Sequence, residues 1–139
     1  MWIFYALLAA LFAVLTAIFA KLGVASISSN LATAIRTVVI LILVWAIVIF
    51  KGEGKALGTV SKQGLFFLII SGIATGLSWL FYFKALEVGE VSKVAAVDKL
   101  SVALVIILAV IFLNEQISLK TGIGAGLIIL GTIIMVAKF

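Results

Sequence analysis

Apolar and polar positions fall into long uniform blocks along this chain, not into alternation. Residues 2–20 (WIFYALLAALFAVLTAIFA) are free of charge, and Lys21 closes the run. Similar blocks cover about 31–50, 64–83, 94–113 and 121–137, the third closed by Lys84 and the last by Lys138. Each is roughly 20 residues, the length a helix needs to cross a hydrocarbon core of about 30 Å. Barrel strands would alternate apolar and polar over about 10 residues. These blocks are continuous, so the pattern predicts an all-α, polytopic transmembrane helix bundle of five helices. The connections are short, the longest being 51–63 (KGEGKALGTVSKQ). No stretch remains for a soluble domain or linker, and 1–139 reads as a single five-helix domain. The first block has no Lys or Arg before Lys21 and exceeds the apolar core of about 7–15 residues in a signal peptide. It is expected to be a retained span.

Composition supports the bilayer as solvent. Hydrophobic residues make up 66% of 139 and charged residues 11%, against about 45–50% and about 25% in soluble domains. The mean hydropathy is +1.48. A small globular core cannot hide that much apolar surface from water. The counts of Cys 0 and His 0 remove disulfides, thiol chemistry and the usual ligands of zinc, haem and iron–sulfur clusters. No nucleophile–base pair or metal set is present, so no catalytic residues, metal or cofactor are expected, and the chain reads as a non-enzyme. Pro 0 means that no kink can be owed to proline. The net charge of +5 comes from cations scattered singly between apolar runs, which suits membrane anchoring and not nucleic acid.

Orientation is weakly encoded. Lys51, Lys55, Lys62 and Lys120 lie on the N-terminal side, four in all; Lys21, Lys84, Lys93 and Lys138 lie opposite, also four. Arg36 and Lys99 sit just inside the membrane nearer the second side and make it six against four if counted. An odd number of spans with nearly balanced loops fits dual topology, in which the chain inserts both ways up and pairs antiparallel with itself. Two copies then reproduce the inverted repeat found within many transporters. A fixed orientation, set by a partner or by Arg36 and Lys99, is the other reading.

The stretch LFYFKALEVGEVSKVAAVDKLSVALVIILAVIFLNEQISLKTGIGAGLIILGTIIMV, from Leu80 to Val136, has an aromatic helix end with FKAL. Small residues begin the next helix, a glutamate follows IFL, and the last helix is studded with glycine. In order and spacing these features resemble the EamA domain of the drug/metabolite transporter superfamily, and the match extends loosely over the whole chain. The EamA unit is itself a five-helix module, and most members of the superfamily fuse two. The resemblance implies a half-size transporter that needs a second copy or a homologous subunit, in the inner (cell) membrane of a prokaryote. Small multidrug resistance proteins are related but carry an acidic residue in the first helix. Residues 2–20 hold no charge, so that coupling mechanism does not transfer.

Charge inside a bilayer costs roughly 2.5–3.5 kcal/mol per residue at a helix centre and marks cavities or pairs. Arg36, Asp98 and Lys99 qualify. Arg36 and Asp98 fall roughly 6–8 Å below the same face, so an ion pair is possible if their helices are neighbours. Lys99 points about 100° away from Asp98 and can snorkel. One reading makes these the polar floor of a substrate cavity, with Asp98 exchanging a proton; the other makes them a structural pair near the interface. Ser78, Trp79 and Tyr82 cluster near the end of the third helix. The two aromatics serve either an interfacial belt, as Trp2, Tyr5 and Trp45 do, or a cavity that binds flat or cationic substrates on their ring faces. Glu115 and Ser118 read as a helix junction, anion and cap before the fifth helix. Glu87 and Glu90 alternate with Lys84 and Lys93 as a solvated loop. Gly72/Gly76 and Gly122/Gly126 form G-x-x-x-G pairs that mark helix packing, within a chain or across a dimer. The expected function is alternating-access transport of a small metabolite or drug-like solute by a dimer, homodimeric or paired with a homologous subunit. The competing class is a non-transporting membrane scaffold or assembly subunit.

Overall fold

The computed structural model describes residues 1–137; Lys138, which closes the last apolar run and enters the charge count, lies outside them. The chain is 87% helical, without strands among the described residues, and carries five helical spans long and apolar enough to cross a membrane. It divides into two compact units, one comprising Met1–Glu87 and one beginning at Val88.

The first unit holds α1 (Trp2–Val24), α2 (Ser29–Phe50), a 3₁₀ turn (Glu53–Thr59) and α3 (Lys62–Val88). The helices run past the charges that end the apolar blocks, since backbone hydrogen bonding does not require apolar side chains and lysines snorkel at the ends. At 27 residues α3 is about 40 Å long by helical rise, so its ends extend beyond the hydrocarbon. Serines start two of these helices. The Ser28 hydroxyl accepts the Leu31 N–H at 3.4 Å, and the Ser61 hydroxyl accepts the Gly64 N–H at 3.0 Å. After α2, Gly52 turns the chain at φ +67°, a left-handed conformation that glycine takes without a steric cost.

Packing in this unit concentrates at one end. Ala17, Ala20 and Val24 of α1 are buried, at the three- and four-residue spacing of one helix face. Ser29, Ala32 and Thr33 of α2 are buried too, together with Phe83 and Leu86 of α3. Small side chains on α1 and α2 let backbones approach, which is how helices gain dispersion contacts in lipid. Most large apolar residues elsewhere are exposed, the surface expected of helices solvated by lipid. Buried and intramembrane hydroxyls bond their own helix: Thr33 to the Ser29 carbonyl and Thr37 to the Thr33 carbonyl, each at 2.8 Å.

Two polar ties cross this packed end. The Lys21 ammonium donates to the carbonyl of Leu86, in the last turn of α3, where the helix dipole favours a cation. The Glu87 carboxylate accepts from both the hydroxyl and the backbone N–H of Ser29, at the start of α2, where the dipole favours an anion. Lys84 also reaches Glu87, at 3.1 Å. Glu87 therefore joins helices, where the sequence suggested only a solvated loop; Glu90 fits that suggestion, pairing with Lys93 at 2.9 Å.

The second unit holds α4 (Val91–Asp98), α5 (Leu100–Leu113) and α6 (Leu119–Val136). The first two make one span, Val91–Leu113, interrupted at Lys99. Lys99 keeps a right-handed helical backbone, and its N–H still reaches the Ala95 carbonyl at 3.3 Å, so the irregularity is slight; hydroxyls bond to carbonyls around it. Ser101 donates to the Asp98 carbonyl at 2.6 Å, and Thr132 of α6 reaches the Ala96 carbonyl at 3.0 Å as well as Ile128 of its own helix at 2.9 Å. Side-chain donors of this kind re-satisfy backbone carbonyls where a membrane helix departs from regularity. Helix α5 ends at Asn114, at φ 52°, and the Glu115 N–H closes back onto the Ala109 carbonyl at 3.2 Å. The Ser118 hydroxyl then accepts the Thr121 N–H at 3.1 Å to start α6.

Candidate functional site

A cavity of about 530 Å³ opens in the first unit, between the middle of α1 and the first turns of α2, with Phe83 of α3 on its wall. Its α1 side is one helical face, containing Phe12, Thr16, Phe19 and Gly23. Its α2 side is Ala32, Ile35 and Arg36. The volume falls within the roughly 300–1,000 Å³ of small-molecule sites, which combine apolar walls with few polar groups.

Arg36 gives the cavity its chemistry. It lies seven residues after Ser29, about 10 Å along the α2 axis from the helix start. Its guanidinium carbon sits 4.2 Å from the centre of the Trp79 ring and 5.4 Å from that of Phe83. Both distances are within cation–π range, and partial desolvation strengthens the attraction. Phe83 is 2% exposed and packs edge-on to Tyr82, with centroids 6.4 Å apart. Among the described residues of this unit, no carboxylate lies within 4 Å of Arg36. A guanidinium held against a ring still carries N–H donors that can meet a carboxylate or sulfonate in bidentate fashion.

Other residues singled out in the sequence fall in different places. Trp79 is half-buried and meets the site through Arg36, whose guanidinium covers its ring face. Ser78 is exposed on α3. In the second unit, Asp98 and Lys99 sit at the interruption between α4 and α5 and pair with each other at 3.2 Å. Glu115 contributes its backbone to the end of α5, and Ser118 caps α6. At Gly72, Gly76, Gly122 and Gly126 an added methyl group would meet nothing within 4 Å among the described residues.

Phe12, Thr16, Phe19 and Phe83 were not singled out in the sequence. The available signal was Thr16, a hydroxyl within an otherwise almost wholly apolar run, with Phe12 and Phe19 a turn to either side and Ala20 and Gly23 beyond. That helical stripe of one polar, two aromatic and two small positions is the α1 wall.

Comparison with known proteins places this membrane-spanning architecture. No solved structure gives a significant match. A Sinorhizobium protein named "Uncharacterized transporter in cobO 3'region" is 47% identical over 134 residues, covering 96% of this chain and 95% of the relative. The profile of the EamA-like transporter family matches residues 1–137. With five spans, no strands among the described residues and a match over nearly its whole length, the chain belongs to the EamA-like transporter family.

Proposed function

We propose that the chain is one half of a secondary transporter that moves a small metabolite or drug-like solute by alternating access in the inner (cell) membrane of a prokaryote. The observation that carries the proposal is the cavity beside Arg36: about 530 Å³, set within membrane-spanning helices, with an aromatic wall and one charged lining residue. A scaffold has no need of a half-buried guanidinium held on a ring over such a space. Membership of the EamA-like family and a relative named as a transporter point the same way.

The active form in this proposal is a dimer, either of two identical chains, antiparallel in the dual-topology case, or of this chain with a homologous subunit. Around Gly72/Gly76 and Gly122/Gly126 an added methyl group would meet nothing within 4 Å among the described residues, which leaves backbone faces for a second copy. Asp98 and Lys99 form the coupling position. They pair with each other inside a spanning segment, and intramembrane charges commonly mark ion and substrate pathways. Asp98 is the acidic candidate for ion coupling in this proposal.

Purified chain reconstituted in vesicles should show saturable, pH-driven solute uptake, and Asp98→Asn should abolish it. Transport by Asp98→Asn with unchanged pH dependence would remove Asp98 from the mechanism. A chain that catalyses no flux under any gradient, yet is required for assembly of another membrane complex, would favour the scaffold role.

A further inference from the structure

We infer that the cavity beside Arg36 binds a small organic anion with a flat, apolar body; this deepens the transporter proposal and takes from it only that the bound molecule is cargo. Arg36 is the one charged side chain lining the cavity among the described residues, and Thr16 is its one hydroxyl. The remaining lining is apolar, with rings from Phe12, Phe19 and Phe83. Such a site discriminates by charge. An anion gains the charge-assisted, bidentate hydrogen bonds that a guanidinium offers, in surroundings less polar than water. A cation meets a like charge with no carboxylate of the unit within 4 Å to offset it. A neutral amide finds few partners for the polar groups it must desolvate.

The ring faces lead to the same class. Trp79 is the natural platform for a cationic ligand, but Arg36 already sits 4.2 Å from its centre. This contact instead holds the guanidinium in place, with no carboxylate of the unit within 4 Å of its donors. Trp79 is therefore a positioning residue for Arg36, and the rings on the far wall are left to receive an apolar body through offset or edge-to-face packing. The cavity volume accommodates a one- or two-ring body with room to spare.

The test uses the full chain in phosphatidylcholine nanodiscs and three naphthalene probes of matched body: 2-naphthalenesulfonate, 2-naphthalenesulfonamide and (2-naphthylmethyl)trimethylammonium. The sulfonate is ionised at every working pH and does not leak across bilayers as a neutral acid. Titration calorimetry should give at least tenfold tighter binding for the sulfonate than for either other probe. Arg36→Gln should remove that preference, and Arg36→Lys, which keeps the charge but loses the planar fork, should fall between. The ranking on the unaltered chain needs no variant, so an Arg36→Gln protein that fails to fold leaves the test intact. Equal affinities, or preference for the ammonium, overturn the inference. Loss of sulfonate binding on adding phosphatidylglycerol overturns it too, since the site would then belong to a lipid headgroup. Flux is scored separately in vesicles. Sulfonate binding without flux keeps the anion assignment and rejects the transporter role. Flux of the ammonium without sulfonate binding rejects the anion assignment and keeps that role.

Discussion

Leu86 has no exposed surface, the most complete enclosure among the buried apolar residues described. Its neighbour Glu87 ties α3 to Ser29, and its own carbonyl holds Lys21. In a soluble core Leu→Ala costs about 2–5 kcal/mol, part of it transfer to water and part the cavity left behind. In lipid the transfer part shrinks, because acyl chains are as apolar as leucine. Leu86→Ala is therefore expected near the lower end, about 2 kcal/mol, read by unfolding in mixed micelles; no measurable change would show that this end of the unit is not a stabilising contact. Gly52→Ala should destabilise by about 1 kcal/mol, because alanine resists a left-handed backbone. Arg36, Asp98 and Lys99 draw notice because charge stands out in an apolar run, and of the three Arg36 lines the cavity. The partner of Arg36 was not legible. Depth along a helix follows from counting, but whether Arg36 turns toward an aspartate or toward Trp79 depends on packing that a linear pattern does not contain.

The five spans were legible because each apolar block is long enough to cross a bilayer and nothing competes with it. The ends and the interruption were less so. Blocks stop at the first charge, whereas α1 continues to Val24 and α3 to Val88. Beside Lys99, Thr132 reaches the Ala96 carbonyl from another helix, a contact without a local signature. Thr132→Val keeps the shape and removes that donor. Interhelical hydrogen bonds in membranes average about 0.6 kcal/mol, so a loss of about that size is expected, together with faster hydrogen exchange around residues 96–100. Ser118→Ala removes the cap of α6 and should cost about 1 kcal/mol in the same unfolding assay; an unchanged midpoint would mean that solvent or a neighbouring group replaces the cap. That cap was readable in advance, because Ser118 stands three residues ahead of the apolar block that begins at Thr121, where a helix start is expected.

For the molecule as a whole, topology and assembly were predicted from the charges and spans, and each has a direct test. A reporter fused to the C-terminus should register on both sides of the membrane if the chain inserts both ways up, and signal on one side alone rejects dual topology. Because the sequence contains Cys 0, a single cysteine introduced at Gly72 or Gly126 is an unambiguous probe. Disulfide-linked dimers should form there if the glycine faces meet across copies. The positively charged cavity also has an electrical consequence. With a monovalent anion bound, the Arg36 site is neutral; empty, it carries one positive charge. If the proposed alternating-access cycle holds, a membrane potential acts on the return of the empty carrier and leaves the loaded step nearly untouched. A full unit charge is worth about 2.3 kcal/mol per 100 mV, and Arg36, about 10 Å inside the helix start, senses a fraction of that. In that proposed cycle a negative interior favours the empty site facing inward, so flux of the anion should change with membrane voltage.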